Sequence, residues 1–136
     1  LTTMITGIAP WPASDGALEV FKLVKPLGNL EQYQFEDWRN RAVHLSRAQC
    51  YSAVYSRPGE SYIILTNMNS KPARVMCSVD PAKLKSPLGT LSSASLIAPT
   101  GTTRLDSSAL TGAGERITLP AASAVLIHLT GPGLSR

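Results

Sequence analysis

Two cysteines and two histidines in 136 residues, with no Cys-x-x-Cys spacing, leave too few ligands for a zinc site. No stretch approaches the roughly 20 apolar residues that a membrane-spanning helix needs, so no membrane partner is expected. Charge is scarce as well. Charged residues make up 16% of the chain, and 13 Lys and Arg against 9 Asp and Glu leave a formal +4. With a pI near 9.3 that surplus would suit an anionic partner if it were gathered, but Arg57, Lys71, Arg74, Arg104 and Arg116 stand apart. Without a basic stripe or aromatics interleaved with it, nucleic acid is not the expected partner. The Gly- and Ser-rich stretch "GTTRLDSSALTGAGER" (101–116) lacks the Lys-Ser/Thr ending of a phosphate loop and reads as a turn. The first residues, "LTTMITGIAPWP", lack the basic start, apolar centre and small-residue cleavage site of a signal peptide. They read as structure at once, as though the chain opened within a domain.

What is present is the material of short elements joined by many turns. Hydrophobic residues are 43% of the chain, with ten Gly and ten Pro, enough for one core and unsuited to disorder. From Arg47 onward, short apolar runs alternate with breakers. The predicted strands are 48–56, 61–67, 73–80, 90–97, 102–105, 115–119 and 124–130, separated by Arg57-Pro58-Gly59-Glu60, Asn69-Ser70-Lys71-Pro72 and Thr111-Gly112-Ala113-Gly114. The fold class is mainly β, an antiparallel β-sandwich of about six to eight strands, preceded by a short N-terminal strand-helix segment. Alternation names its core: Val125, Ile127 and Leu129 share one face while Leu126 and His128 take the other. Ile63 and Leu65 oppose Tyr62, Ile64 and Thr66, as in a central strand buried on both faces. "YIILTNMNSKPARVMCSVDPAKL" (62–84) reads as two strands with a connecting loop, a hairpin at the middle of the sandwich. The stretch ends in one helical turn at Pro81 to Leu84, capped by Asp80. Cys50 and Cys77 fall in predicted strands that would neighbour each other; they could form a disulfide in an oxidising compartment, with buried free thiols as the favoured reading.

Before the sandwich, Leu1 to Ile8 reads as a strand closed by Ala9-Pro10-Trp11-Pro12. Ser14 or Asp15 then caps a helix from Ala17, with Leu18, Phe21, Leu23 and Val24 as its apolar positions and Pro26 and Gly28 as its end. Residues 29–46 read as a mixed linker. The domain division is therefore 1–46, strand, helix and linker, and 47–136, the sandwich.

Candidates for chemistry are few. Glu36 and Asp37 are adjacent, so their side chains diverge in either regular structure, whereas glycoside hydrolysis needs two carboxyls flanking the scissile bond. His44 and His128 could each act as a base, but no nucleophile sits in a setting such as G-x-S-x-G. No catalytic residue and no cofactor is assigned. Aromatic rings offer the other route to a sugar, by stacking on a pyranose. Trp11 follows the first predicted strand, and Trp38 and Tyr33 lie in the linker beside Phe35. These three are the candidate substrate-binding residues, with packing between linker and sandwich as the competing role for Trp38 and Tyr33.

The order of these elements carries a resemblance. A strand ending in "GIAPWP", the helix "ALEVFKLVKPL", the linker "FEDWRN", then "YSRPGESYIILTNMNSKPARVMCSVDPAKL" and a closing "ERITLPAASAVLIHL" resemble the carboxyl-terminal end of bacterial glycoside hydrolases. In that family a small antiparallel β-sandwich follows a (β/α)8 catalytic barrel. The resemblance implies that residues 1–46 are a remnant of the barrel plus linker and that the catalytic carboxylates lie on earlier strands outside this chain. The partner would be the catalytic barrel of the same polypeptide, with carbohydrate as a further ligand; a secreted or periplasmic setting is compatible with it. In that frame the loop holding Trp11 would stand on the barrel's carboxyl face, where active sites form. Two alternatives stay open: a stand-alone carbohydrate-binding module with an exposed aromatic platform, and a protein-interaction sandwich, which the lack of a Cys…Trp…Cys arrangement disfavours.

Overall fold

A computed structural model describes residues 33–37, 39–47, 49–98, 101–121 and 123–132. The predicted strand at Leu1 to Ile8, the helix from Ala17, Trp11 and Trp38 lie outside the described residues. What is described is an antiparallel β-sandwich. Nine strands occur among the described residues: β1 (Gln34–Glu36), β2 (Val43–Leu45), β3 (Cys50–Arg57), β4 (Glu60–Asn67), β5 (Ala73–Val79), β6 (Ser93–Ala98), β7 (Gly101–Arg104), β8 (Glu115–Leu119) and β9 (Ser123–Thr130). They form a six-stranded sheet in the order β1-β3-β4-β9-β6-β7 and a three-stranded sheet in the order β2-β5-β8.

All seven predicted strands are present, each shifted by no more than three residues at its ends. The linker adds two more, because Phe35 pairs with Tyr55 and Val43 with Val79, giving one short edge strand to each sheet. Strands of three residues carry too little periodicity to be recognised locally, and what holds them is the neighbour they pair with. The β3–β4 hairpin turns on Pro58-Gly59. Gly59 sits at φ 87°, the positive value required at the third position of a type II turn, for which Pro is favoured one residue earlier.

The expected hairpin of Tyr62–Thr66 with Val75–Val79 does not form. β4 pairs with β3 and β9, while β5 pairs with β2 and β8 in the other sheet. The reason sits at Asn67, which is fully buried at the end of β4. Its amide nitrogen lies 3.0 Å from the Lys71 carbonyl, 3.3 Å from that of Leu119 and 3.0 Å from that of Pro120. Its oxygen accepts from the Asn69 backbone N–H at 2.9 Å. The turn is thereby tied to the end of β8 rather than folded back on β4, and the chain crosses between sheets at residues 68–72. For the same reason Cys50 (β3) and Cys77 (β5) lie on opposite sheets rather than neighbouring strands. Both are buried and free.

The space between the sheets holds Val54, Ile63, Leu65, Val75, Cys77, Val79, Ile117, Leu119, Val125, Ile127 and Leu129 in one cluster. Three strands cannot cover six, and three leucines from connecting segments, Leu84, Leu88 and Leu110, join that cluster. Leu84 follows a 3-10 turn at Pro81–Lys83, tighter than the helical turn expected, whose cap is Asp80 accepting from the Ala82 N–H at 3.1 Å. Leu110 ends a one-turn helix, α1 (Ser107–Leu110), inside the stretch read as a plain turn. Asp106 caps it by accepting from the N–H groups of Ser108 and Ala109, an N-cap role for which Asp is among the preferred residues.

Candidate functional site: the outer face of the six-stranded sheet

Strand pairing places side chains on the outer face of the six-stranded sheet in transverse rows. One row runs Phe35, Tyr55, Tyr62, His128 across β1, β3, β4 and β9, because these residues are direct cross-strand partners. The next runs Ala53, Ile64, Leu126, Ile97 across β3, β4, β9 and β6. Direct partners in an antiparallel pair stand about 5 Å apart and touch. Accordingly the Tyr62 and His128 rings stack at 4.3 Å and 12°, and Phe35 and Tyr55 meet at 5.0 Å. The centre of this face is as dry as the inner one, while Phe35, Ile97 and His128 at its margins are partly exposed. Leu126 and Ala53 are 0% exposed, Ile64 1%, Tyr55 4% and Tyr62 7%.

At the hairpin end of these rows lies a polar knot centred on Glu60. Its Oε1 accepts from the Tyr33 hydroxyl at 2.8 Å and from Arg57 Nε at 2.8 Å, and the Arg57 guanidinium also pairs with it at 2.6 Å. Its Oε2 lies 2.9 Å from His128 Nε2; an ionised carboxylate only accepts, so that nitrogen carries the proton of the contact. Arg57 lies over the Tyr33 ring, 4.8 Å from its centroid, and Tyr33 meets Tyr62 edge-on at 6.0 Å and 71°. Burial pushes the Glu60 carboxyl up, but hydrogen bonds from His128, Tyr33 and Arg57 outweigh it and hold the group below its ordinary value. Burial first, then the bond to Glu60, pushes the Tyr33 hydroxyl up to about 12. A carboxylate held ionised with both oxygens occupied by donors is an anchor, since an acid or nucleophile needs a free oxygen facing substrate.

Of the three predicted sugar contacts, Trp11 and Trp38 lie outside the described residues. Tyr33 is described and buried, its ring edge-on to Tyr62 and its hydroxyl bound to Glu60. Glu36 and Asp37 diverge as expected. Glu36 accepts from the Lys85 backbone N–H at 2.8 Å, and Asp37 accepts from both the backbone and the guanidinium of Arg39. His44 is exposed on edge strand β2. Glu60 and Arg57 were not singled out in the sequence, where they read as the flanks of a Pro-Gly turn. The available signal was period two: Glu60, Tyr62 and Ile64 alternate on one face, so Glu60 shares the row side of Tyr62.

Thr66 lies on the same outer face, and its Oγ1 is buried without a hydrogen-bond partner. Among the described residues no group of three or more His, Cys, Asp or Glu is placed to hold a metal ion, and no helix is long and apolar enough to cross a membrane. An open cleft of about 460 Å³ runs between the Pro81–Lys83 turn and α1, lined by Asp80, Leu88, Leu91, Ser107 and Thr111. No known protein family, curated protein or solved structure matches the chain.

Proposed function

We propose that this chain is a non-catalytic, carboxyl-terminal β-sandwich of a glycoside hydrolase-like, carbohydrate-active enzyme, acting by bracing that enzyme's catalytic barrel. The observation that carries the reading is the dry outer face of the six-stranded sheet. A sheet that only closes its own core keeps one face apolar and lets the other meet water. Here the inner face is built of Val, Ile, Leu, Ala and Cys and the outer one of Tyr, Ile, Leu and Ala, which suits a domain packed on both sides. A sugar-binding module would hold flat rings open to solvent, whereas Tyr33, Tyr55 and Tyr62 are all buried on this face. The brace acts by burying apolar surface, and the Glu60 knot holds one margin of that surface in shape. Trp11, in the loop after the first predicted strand, is the residue through which it would reach the rim of the substrate cleft.

The test is the intact mass of the polypeptide as its native source makes it, paired with glycan-array binding of the chain alone. The expected result is a mass several times 14.5 kDa and no glycan affinity for the isolated chain. A native mass equal to that of this chain overturns the barrel reading. Glycan binding by the chain alone, lost on Trp38→Ala, replaces it with the carbohydrate-binding module.

A further inference from the structure

Arg74 and Arg116 stand far apart in the sequence, and the pairing of β5 with β8 brings them together. Arg74 lies opposite Thr118 and Met76 opposite Arg116, so the two arginines are diagonal neighbours about 7–8 Å apart. They share the outer face of the three-stranded sheet, because the alternate residues Val75, Cys77, Ile117 and Leu119 fill the space between the sheets. Arg74, Met76, Arg116 and Thr118 are all exposed. Neither arginine pairs with a carboxylate among the described residues. Glu115, the chain neighbour of Arg116, takes the opposite side of β8 by alternation and accepts from the Asp106 backbone N–H at 3.3 Å. His44 and Ser78, cross-strand partners at the β2 side of this face, add no acid to it. We propose that this face binds an extended acidic segment of a partner protein, whose carboxylates at alternate positions each take one guanidinium. The surface lies on the other sheet from the face assigned to the brace, and the proposal stands whether or not a barrel precedes the chain.

Three observations point to that occupant. The first is charge: two guanidinium forks on one face, with no carboxylate of the described residues beside them, complement an acidic ligand, and each fork can hold a carboxylate by two parallel hydrogen bonds. The second is spacing. Side chains two residues apart on an extended segment share a side and stand about 6.8 Å apart, close to the diagonal between the arginines. The third is composition. Met76, 39% exposed, is the direct partner of Arg116 and lies two residues from Arg74, and Arg and Met are both enriched where proteins meet proteins. Single-stranded nucleic acid is gripped by aromatic rings on which bases stack, and β2, β5 and β8 contain no Phe, Tyr or Trp. An anionic membrane is held by about four to eight clustered Lys and Arg or by an apolar helix face. Two arginines and one thioether supply neither.

Fluorescence anisotropy with the full chain tests this. The probe is a fluorescein-labelled peptide of alternating Glu and Thr, with the matching Gln-Thr peptide as neutral control and with single-stranded oligothymidylate and phosphatidylserine vesicles as competing ligands. The expected result is binding of the Glu-Thr probe at about 50 mM salt that weakens sharply by about 300 mM, and none of the Gln-Thr peptide. Arg74→Gln and Arg116→Gln should each weaken it about fivefold. Arg104→Gln, on β7 of the other sheet, removes the same charge and should change affinity by less than about twofold. No binding of the Glu-Thr probe by the parent chain, equal binding of the Gln-Thr peptide, or an equal loss in Arg104→Gln overturns the proposal. So does tighter binding of oligothymidylate or vesicles through Arg74 and Arg116, which would make nucleic acid or a lipid surface the occupant. Failure of the barrel reading is seen separately, in the native mass.

Discussion

Replacing Leu126 by alanine separates a covered outer face from a wet one. Leu126 sits in mid-strand on β9, opposite Ile64 and Ile97, with 0% exposure. The substitution removes three carbons, a transfer loss of about 2.4 kcal/mol at ~0.8 kcal/mol per buried methylene, to which an unrelaxed cavity adds. The total expected is about 3 kcal/mol, a large part of the 5–15 kcal/mol that holds a typical domain folded. Leu129→Ala, on the inner face of the same strand and also 0% exposed, serves as the internal standard. Urea unfolding followed by tryptophan fluorescence should give the two variants similar losses with unchanged m-values, each lowering Tm by roughly 10 °C. A loss below about 1 kcal/mol for Leu126→Ala beside about 3 kcal/mol for Leu129→Ala would mean that the outer face is open to water in solution. The case for a covered surface would then collapse.

Glu60 sets an acid limit on stability. Its carboxyl is held below its ordinary value in the folded chain, so its contribution is complete above the unfolded value and fades as pH falls through the folded one. Between pH ~6 and pH ~3 the parent chain should lose more urea resistance than Glu60→Gln; equal losses refute the ionised anchor. Thr66→Val removes a buried hydroxyl without a partner at nearly constant shape and should raise stability by about 1 kcal/mol, seen as a higher urea midpoint. Asn67→Ala deletes the tie between β4 and the end of β8 and should cost about 3 kcal/mol, and a loss under about 1 kcal/mol would show that the crossover holds itself. Burial pushes the Cys77 thiol up to about 12 and raises that of Cys50 as well. Both should resist a thiol reagent in the native protein at neutral pH and react once urea unfolds it.

Much of the architecture was legible because strands write themselves locally. The alternation in Ala124–Thr130 predicted which residues face inward, and Val125, Ile127 and Leu129 do. The continuous apolar run at Tyr62–Thr66 predicted a strand buried on both sides, and β4 is central in its sheet. Asp80 and the Pro-Gly pair at 58–59 announced a cap and a turn through chemistry confined to a few neighbouring residues. β1 and β2 were hidden because three residues in an extended form look like any linker until a partner strand supplies the other half of their hydrogen bonds.

The candidate site was less legible for the same reason. Tyr33 drew notice as an aromatic that could meet a sugar, and its role emerged only when three other positions arrived around it. Tyr33, Arg57, Glu60 and His128 are spread over 96 positions, 33 to 128, and each alone is an ordinary residue of its type. Register brings them together: pairing Glu60 with Thr130 and Gln34 with Ser56 sets their rows side by side.

By itself, then, the order of residues determined where the longer strands run, which way their side chains face and where most of the turns fall, since these depend on contacts a few residues long. Tertiary structure decided which strand lies beside which, that β4 and β5 part company into separate sheets, and that a carboxylate at a hairpin becomes the hub of a half-buried polar knot. Any extended backbone offers the same ladder of N–H and C=O groups to any other. The choice among partners is made by long-range packing and by buried groups such as Asn67, whose bonds exist only once distant segments have met.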